Sequence, residues 1–368
     1  MPALSLHEFH SRLGASFGDL GGQEAVLDYG QPYVEHGWLR ASAGVLDLGF
    51  RGRICLTGAD RVRLLHGQVT NDVEGLKTGE GCYAALVTAR GKLQSDLHVY
   101  ALENELLLDF EPGLTRSLQE RFEHYIVADD VQVVEVAPYY GLLSIQGPRA
   151  AAVAARLDLG GEWPEADHAF RQVSPAGLGE LYLVRHGRTG GAGADLFVPV
   201  DALGMVWDRL VAAARAEGGG PAGWTALDRA RIEAGIPRFG VDLDETSLAP
   251  EGGEAFVQRA ISYRKGCYIG QEVIARIRTY GQVARALRGL RVEPAGDAVP
   301  RRGDPLFHEG RPVGAVTSAV RSGWLGGVVA LGLVRRECHQ PGQVLELRMA
   351  EGPARATIVA LPFAPVSA

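Results

Sequence analysis

Lysine is almost missing from this chain. Of 37 basic residues only Lys77, Lys92 and Lys265 are lysine, and the rest are arginine, a bias that reads first as genomic composition and only weakly as function. Cysteine is scarce too. Cys55, Cys82, Cys267 and Cys338 include no C-x-x-C pair, so neither a zinc site nor a disulfide framework is suggested, and no metal is expected. Long hydrophobic runs are absent: the longest, Trp324 to Val334, is broken by glycines and too short to span a bilayer. The start, MPALSLHEFHSR, lacks a basic segment followed by an apolar one, so no signal peptide is expected and the cytoplasm is the default location. A net charge of −7 excludes broad nucleic-acid binding, so contact with a polyanion needs a local patch.

Several catalytic patterns are missing as well. Gly91-Lys92 is followed by Leu93, so there is no P-loop, and no G-x-S-x-G elbow occurs. His7-Glu8-Phe9-His10 is one residue short of the metalloprotease spacing. Gly79 to Ala84 fits G-x-G-x-x-A, but a strand-like run follows where a dinucleotide site needs a helix, so it reads as a turn.

What is present is the composition of a soluble globular protein, 46% hydrophobic and 22% charged, too long at 368 residues for one core. The first 47 residues suggest a short polar helix and a loop-rich lead. Period-two alternation predicts strands over 51–57, 83–88, 95–102, 105–110, 131–136, 142–146, 181–185 and 196–200. Helical spacing predicts helices over 60–71, from Pro112 to about Ile126, from Gly147-Pro148 to about Gly160, from an Asp201 cap to Ala216, and from Thr225 to just before Pro237. The segment 187–195 reads as turn. After Leu287 short alternating runs are split by glycine and proline, which predicts a small all-β barrel or sandwich.

One stretch differs from all others. Between Ile261 and Leu290, Arg264, Lys265, Arg276, Arg278, Arg285 and Arg288 face a single carboxylate, Glu272. Cys267 lies there beside two cations and in a glycine-rich turn, 266–272. Nearby positive charge favours a thiolate, and arginines can grip carboxylate or phosphate through paired hydrogen bonds. A solvated basic loop with an ordinary cysteine is the competing reading.

The run KGCYIGQE, Lys265 to Glu272, resembles the signature of the YgfZ-type folate-binding proteins, relatives of the aminomethyltransferase (T-protein) of the glycine cleavage system. Arg231 to Pro237, Gly240 to Glu245 and Gly67 to Val73 are similar to the same superfamily. The resemblance implies an α+β aminomethyltransferase-like fold: one α+β domain from 1–47 and 138–285, a folate-binding α+β domain from 48–137, and a C-terminal β-barrel from 286–368. It implies tetrahydrofolate, or a one-carbon derivative, as cofactor, held in a cavity where the domains meet.

Site residues follow from the same resemblance. Asp96 matches the T-protein carboxylate that handles a proton near folate, although one of the two adjacent acids usual there is Ser95 here. Tyr83 and Tyr100 match cavity-lining aromatics, Asp195 a pterin-binding acid, and Arg231 an arginine near the ligand. Lys265, Gln271, Glu272 and Arg276 belong to the signature rim, and Cys267 is the functional thiol. Asp96 on an exposed strand face, Asp195 in a plain turn and Arg231 on a helix surface are the competing readings.

The implied function is a tetrahydrofolate-binding accessory protein, a monomer, that supports iron–sulfur client proteins and tRNA modification. Two alternatives stay open: an aminomethyltransferase that takes its one-carbon unit from an aminomethyl-lipoyl carrier protein, and an RNA-binding module built on the basic stretch.

Overall fold

The computed structural model describes residues 1–160, 162–281, 283–294 and 296–363. They form two compact units, each assembled from separate chain segments. The first comprises Met1–Ala84 and Asp96–Asp228, the second Ala85–Ser95 and Arg229–Ala368.

The first unit opens with helix α1 (His7–Arg12), the hairpin β1 (Ser16–Leu20) and β2 (Gln23–Asp28), α2 (Pro32–Ala41), β3 (Gly44–Asp47), β4 (Gly52–Thr57) and α3 (Arg61–Gln68). The hairpin β5 (Gly81–Val87) and β6 (Leu93–Ala101) follows, its tip belonging to the second unit. Then come β7 (Glu105–Phe110), α4 (Thr115–Tyr125), β8 (Gln132–Glu135), β9 (Tyr140–Gln146), α5 (Ala150–Ala155), β10 (Phe170–Val173), β11 (Leu181–Arg185), β12 (Gly193–Pro199), α6 (Val200–Ala216) and β13 (Gly220–Pro221). Beside the two-stranded β1-β2 sheet stand two larger ones, the first ordered β5-β6-β7-β4-β8 and the second β10-β11-β12-β9-β3-β13.

The second sheet is held down by α6. Leu203, Val206, Trp207, Leu210 and Val211 recur at helical spacing, and all are buried with Val45, Leu143, Ile145 and Leu196 of the strands. Each such side chain contributes roughly 1.5–3 kcal/mol by leaving water.

Helix α7 (Trp224–Glu233) leads into the second unit, with α8 (Glu254–Ala260) and α9 (Gln271–Tyr280) after it. The chain then builds β14 (Arg285–Glu293), β15 (Pro305–His308), β16 (Arg311–Ser322), β17 (Gly327–Arg335), β18 (Val344–Met349) and β19 (Gly352–Val359). These six close into a barrel ordered β14-β17-β16-β15-β18-β19, and closure removes the sheet edges. Its core includes Leu290, Leu306, Val316, Ala330, Leu347 and Ile358. The fold is therefore α+β with a C-terminal barrel, as the sequence implies. Among the described residues no helix is long and apolar enough to cross a membrane.

Local expectations fail where pairing overrides composition. The segment 187–195 is not all turn: β12 starts at Gly193, between Gln146 of β9 and the β11 strand. A Cβ at Gly193 would sit 2.3 Å from the Gln146 side chain, so glycine serves close approach there and not a turn. The first 47 residues hold a hairpin and a second helix beyond the single helix expected. β10 carries no strong alternation and is recruited by β11. The alanine-rich helix is six residues long. Asp201 lies in the first turn of α6 and not at its cap, which is Pro199. Gln271 and Glu272 are helical, at the start of α9 and not in a turn.

Candidate functional site

Strand β6 presents Asp96, His98 and Tyr100 on one face by its period of two, while Leu97 and Val99 are fully buried on the other. That face closes progressively along the strand: Asp96 is half-buried, while His98 and Tyr100 are 8% and 1% exposed. Asp96 Oδ2 accepts the Tyr83 hydroxyl at 2.7 Å. Burial, and then the Glu111 carboxylate, raise its pKa to about 6, with Tyr83 and Arg51 opposing. A carboxyl poised there can take or give a proton near neutral pH.

Behind this face lies a charged network. Arg51 donates to Asp109 at 2.6 Å and to Glu111 at 2.7 Å. Arg188 bridges Asp109 and Asp195, both at 2.7 Å. Asp195 Oδ1 also accepts the Ser144 hydroxyl at 2.6 Å, and its Oδ2 lies 2.9 Å from His186 Nδ1. Arg188 and His186 hold the Asp195 carboxyl far below the usual range against the cost of burial. The acceptor sites of this carboxylate are thus filled within the protein, which does not suit the direct pterin contact the resemblance implies for Asp195. Tyr100 is wholly buried, and its hydroxyl has no partner among the described residues.

Sequence spacing gives no hint of what joins His98 here. His168 Nε2 faces His98 Nδ1 at 2.9 Å, and the His186 ring lies 4.3 Å from the His98 ring and 4.9 Å from that of His168. All three are buried. Burial and the surrounding cations hold His98 well below its ordinary pKa and His186 down at about 4, so these two rings are neutral. Helical or strand periodicity cannot foresee such a group, because β6, β11 and the loop before β10 meet only through tertiary packing. The expectation of no metal-binding group came from cysteine spacing and did not weigh these histidines.

The remaining candidates lie in the second unit. Cys267 is exposed and its thiol is in no disulfide, whereas Cys55 and Cys338 are buried and Cys82 is half-buried. Lys265 is 8% exposed, with Nζ 4.9 Å from the Tyr268 ring centroid. Burial pushes the Tyr268 hydroxyl up to about 12. Gln271 opens α9 behind Gly270, whose φ is +83°. Arg276 pairs with Glu272 at 2.9 Å across one turn of α9, both well exposed.

Arg231 is not on a helix surface. Its guanidinium is buried, paired with Asp242 and donating to Ser318 Oγ at 2.9 Å. A β-bulge between Val316 and Ser318 turns Thr317 and Ser318 together onto Asp242 Oδ1, at 2.6 and 2.7 Å. Arg231 therefore fastens α7 to the barrel strand β16.

Residues 6–263 match the family described as GCVT N-terminal domain, and residues 285–364 match the glycine cleavage T-protein C-terminal barrel domain. An aminomethyltransferase of Bacillus subtilis (strain 168) is 29% identical over 97% of this chain and 98% of its own length. One of Rubrobacter xylanophilus is 30% identical over 97% of this chain and 93% of its own. The crystal structure of glycine cleavage system aminomethyltransferase T from Bartonella henselae is similar with a TM-score of 0.87 at 25% identity, covering 99% of this chain and 98% of that one. These matches carry the aminomethyltransferase superfamily and do not single out its YgfZ-type branch.

Proposed function

Because the chain belongs to the glycine cleavage T-protein family, we propose that it binds tetrahydrofolate and transfers a one-carbon unit to it from an aminomethyl-lipoyl carrier protein. The observation that carries this reading is the Asp96 carboxyl, raised to about 6 and fixed by the Tyr83 hydroxyl at 2.7 Å. As the folate amine attacks the methylene donor it must lose a proton, and Asp96 is the group to receive it. Tyr83 supplies aromatic surface beside it, and Tyr100, 1% exposed, supports the face from within. Asp195 acts from behind, through Arg188 and His186, and does not touch the pterin.

Mixing the purified chain with aminomethyl-lipoyl carrier protein and tetrahydrofolate is expected to release ammonia and form methylenetetrahydrofolate. Asp96→Asn should lower turnover about 100-fold or more while leaving folate affinity within a few-fold. Failure to bind reduced folate at all would overturn the reading.

A second reading has its own observation, the exposed Cys267 inside KGCYIGQE. In it the chain binds tetrahydrofolate as an accessory to iron–sulfur proteins and tRNA modification, and Cys267 is the working thiol. Folate binding without ammonia release, together with loss of the accessory effect in Cys267→Ser, would favour this reading over the first.

A further inference from the structure

We propose that His98, His168 and His186 form a binding site for one divalent transition-metal ion of the zinc class, with Asp195 orienting His186. Each ring offers one nitrogen, and the three donor atoms lie within 4.8 Å of one another. Imidazole suits zinc, cobalt and nickel, and three protein ligands with a fourth position left for water are the pattern of an open site.

The His98–His168 pair needs little adjustment, and His186 must close from within 4.8 Å. His98 Nδ1 and His168 Nε2 face each other at 2.9 Å, so without an ion they share one proton. A tetrahedral ion with metal–nitrogen bonds of about 2.0–2.1 Å would hold two such nitrogens about 3.3 Å apart, a few tenths of an ångström wider, with the shared proton moving to the far nitrogen of its own ring. His186 is already arranged as a ligand: Asp195 Oδ2 holds its Nδ1 at 2.9 Å, which leaves Nε2 for the ion. A carboxylate behind a ligating histidine fixes the tautomer and raises ligand basicity.

Neither guanidinium beside the cluster is left unpaired: Arg51 is committed to Asp109 and Glu111, and Arg188 to Asp109 and Asp195, which offsets the positive charge that a bound ion would meet. His168 stands at φ +62°, and its ring stacks on that of His98 with centroids 5.2 Å apart. The buried Tyr100 hydroxyl, unpartnered among the described residues, belongs to a ring stacked 6.0 Å from that of His168.

The test uses untagged full-length protein stripped of metal. Titration with Co²⁺ should saturate at one equivalent per chain with the intense visible bands of a four-coordinate ion, and Zn²⁺ should abolish those bands by displacing Co²⁺ one for one. His168→Ala and His186→Ala should each weaken binding at least about 100-fold, and Asp195→Asn about 10- to 100-fold. Cys267→Ser should leave the spectrum unchanged. Saturation well below one equivalent, or only the weak bands of hydrated Co²⁺, overturns the proposal on the wild-type chain alone, whether or not the variants fold. So does loss of the bands in Cys267→Ser.

Discussion

At the scale of single residues, Asp96 and Asp195 show how environment separates two similar carboxyls. Asp195 is fully buried but wrapped in donors and cations, so its charge is stabilised. Asp96 loses water to burial and has the Glu111 carboxylate near it, which the Tyr83 hydroxyl and Arg51 only partly offset, so its charge is penalised. The consequence for stability has a definite sign. A carboxyl whose folded pKa, about 6, lies above the unfolded 3.8 favours folding while protonated, and that contribution is lost as pH rises from about 4 to 6. Asp96→Asn cannot ionise. It should therefore melt higher than the wild type at about pH 7.5, with the gain vanishing near pH 4, as read by calorimetry. An equal shift at both pH values would mean that packing and not charge explains the change. Such a gain is what a strained functional group concedes when it is removed. Asp96 and its face were legible in the alternation of β6. The partners were not: Arg188 reaches Asp195 from a segment whose sequence reads as turn, and His186 lies just before it, outside any predicted element.

At the scale of elements, legibility followed local chemistry. β7 and β11 fall where they are expected, because turn-forming residues lie within two positions of their ends: Asn104 and Pro112 for β7, Gly179 and Gly187 for β11. The KGCYIGQE run was misread as one turn because its glycines signal flexibility, whereas Gly270 starts a helix. Gly270 is fixed by two demands at once: φ of +83°, and a Cβ position only 2.4 Å from the Thr88 carbonyl oxygen. Gly310 has a similar φ of +74° with open space around it. Gly310→Ala should cost about 1–2 kcal/mol for left-handed backbone alone. Gly270→Ala should cost clearly more, since the backbone oxygen cannot yield as a flexible side chain does. Thermal unfolding of both variants checks this, and equal losses would show that Gly270 is present for φ only.

At the scale of the whole molecule, the change of pattern after Leu287 announced the barrel, because short alternating strands and glycine turns are a local signal. Residue pattern alone carries no interleaving of segments, since membership in a unit depends on contacts between distant residues; only the resemblance implies one, with 1–47 and 138–285 in a single domain. The β5–β6 tip is the clearest case. Leu93 donates its N–H to Ser247 O at 2.9 Å, and Ala249 donates to Gly91 O at 3.4 Å. Leu93 is 1% exposed, and a Cβ on Gly91 would touch Val273 at 3.1 Å. The second unit therefore needs a tip made more than a hundred residues before it, and its loop around Ser247 must wait for that long-range closure. Leu93→Pro removes the donor while keeping an apolar side chain. Hydrogen exchange should then speed up at Ser247 and Ala249, while the barrel amide of Leu331, in β17 and bonded within the sheet, keeps its protection. Unchanged exchange at Ala249 would mean that the tip merely lies against the loop without ordering it. Parallel acceleration at Leu331 would mean that the tip stabilises the barrel as a whole and is part of its cooperative core.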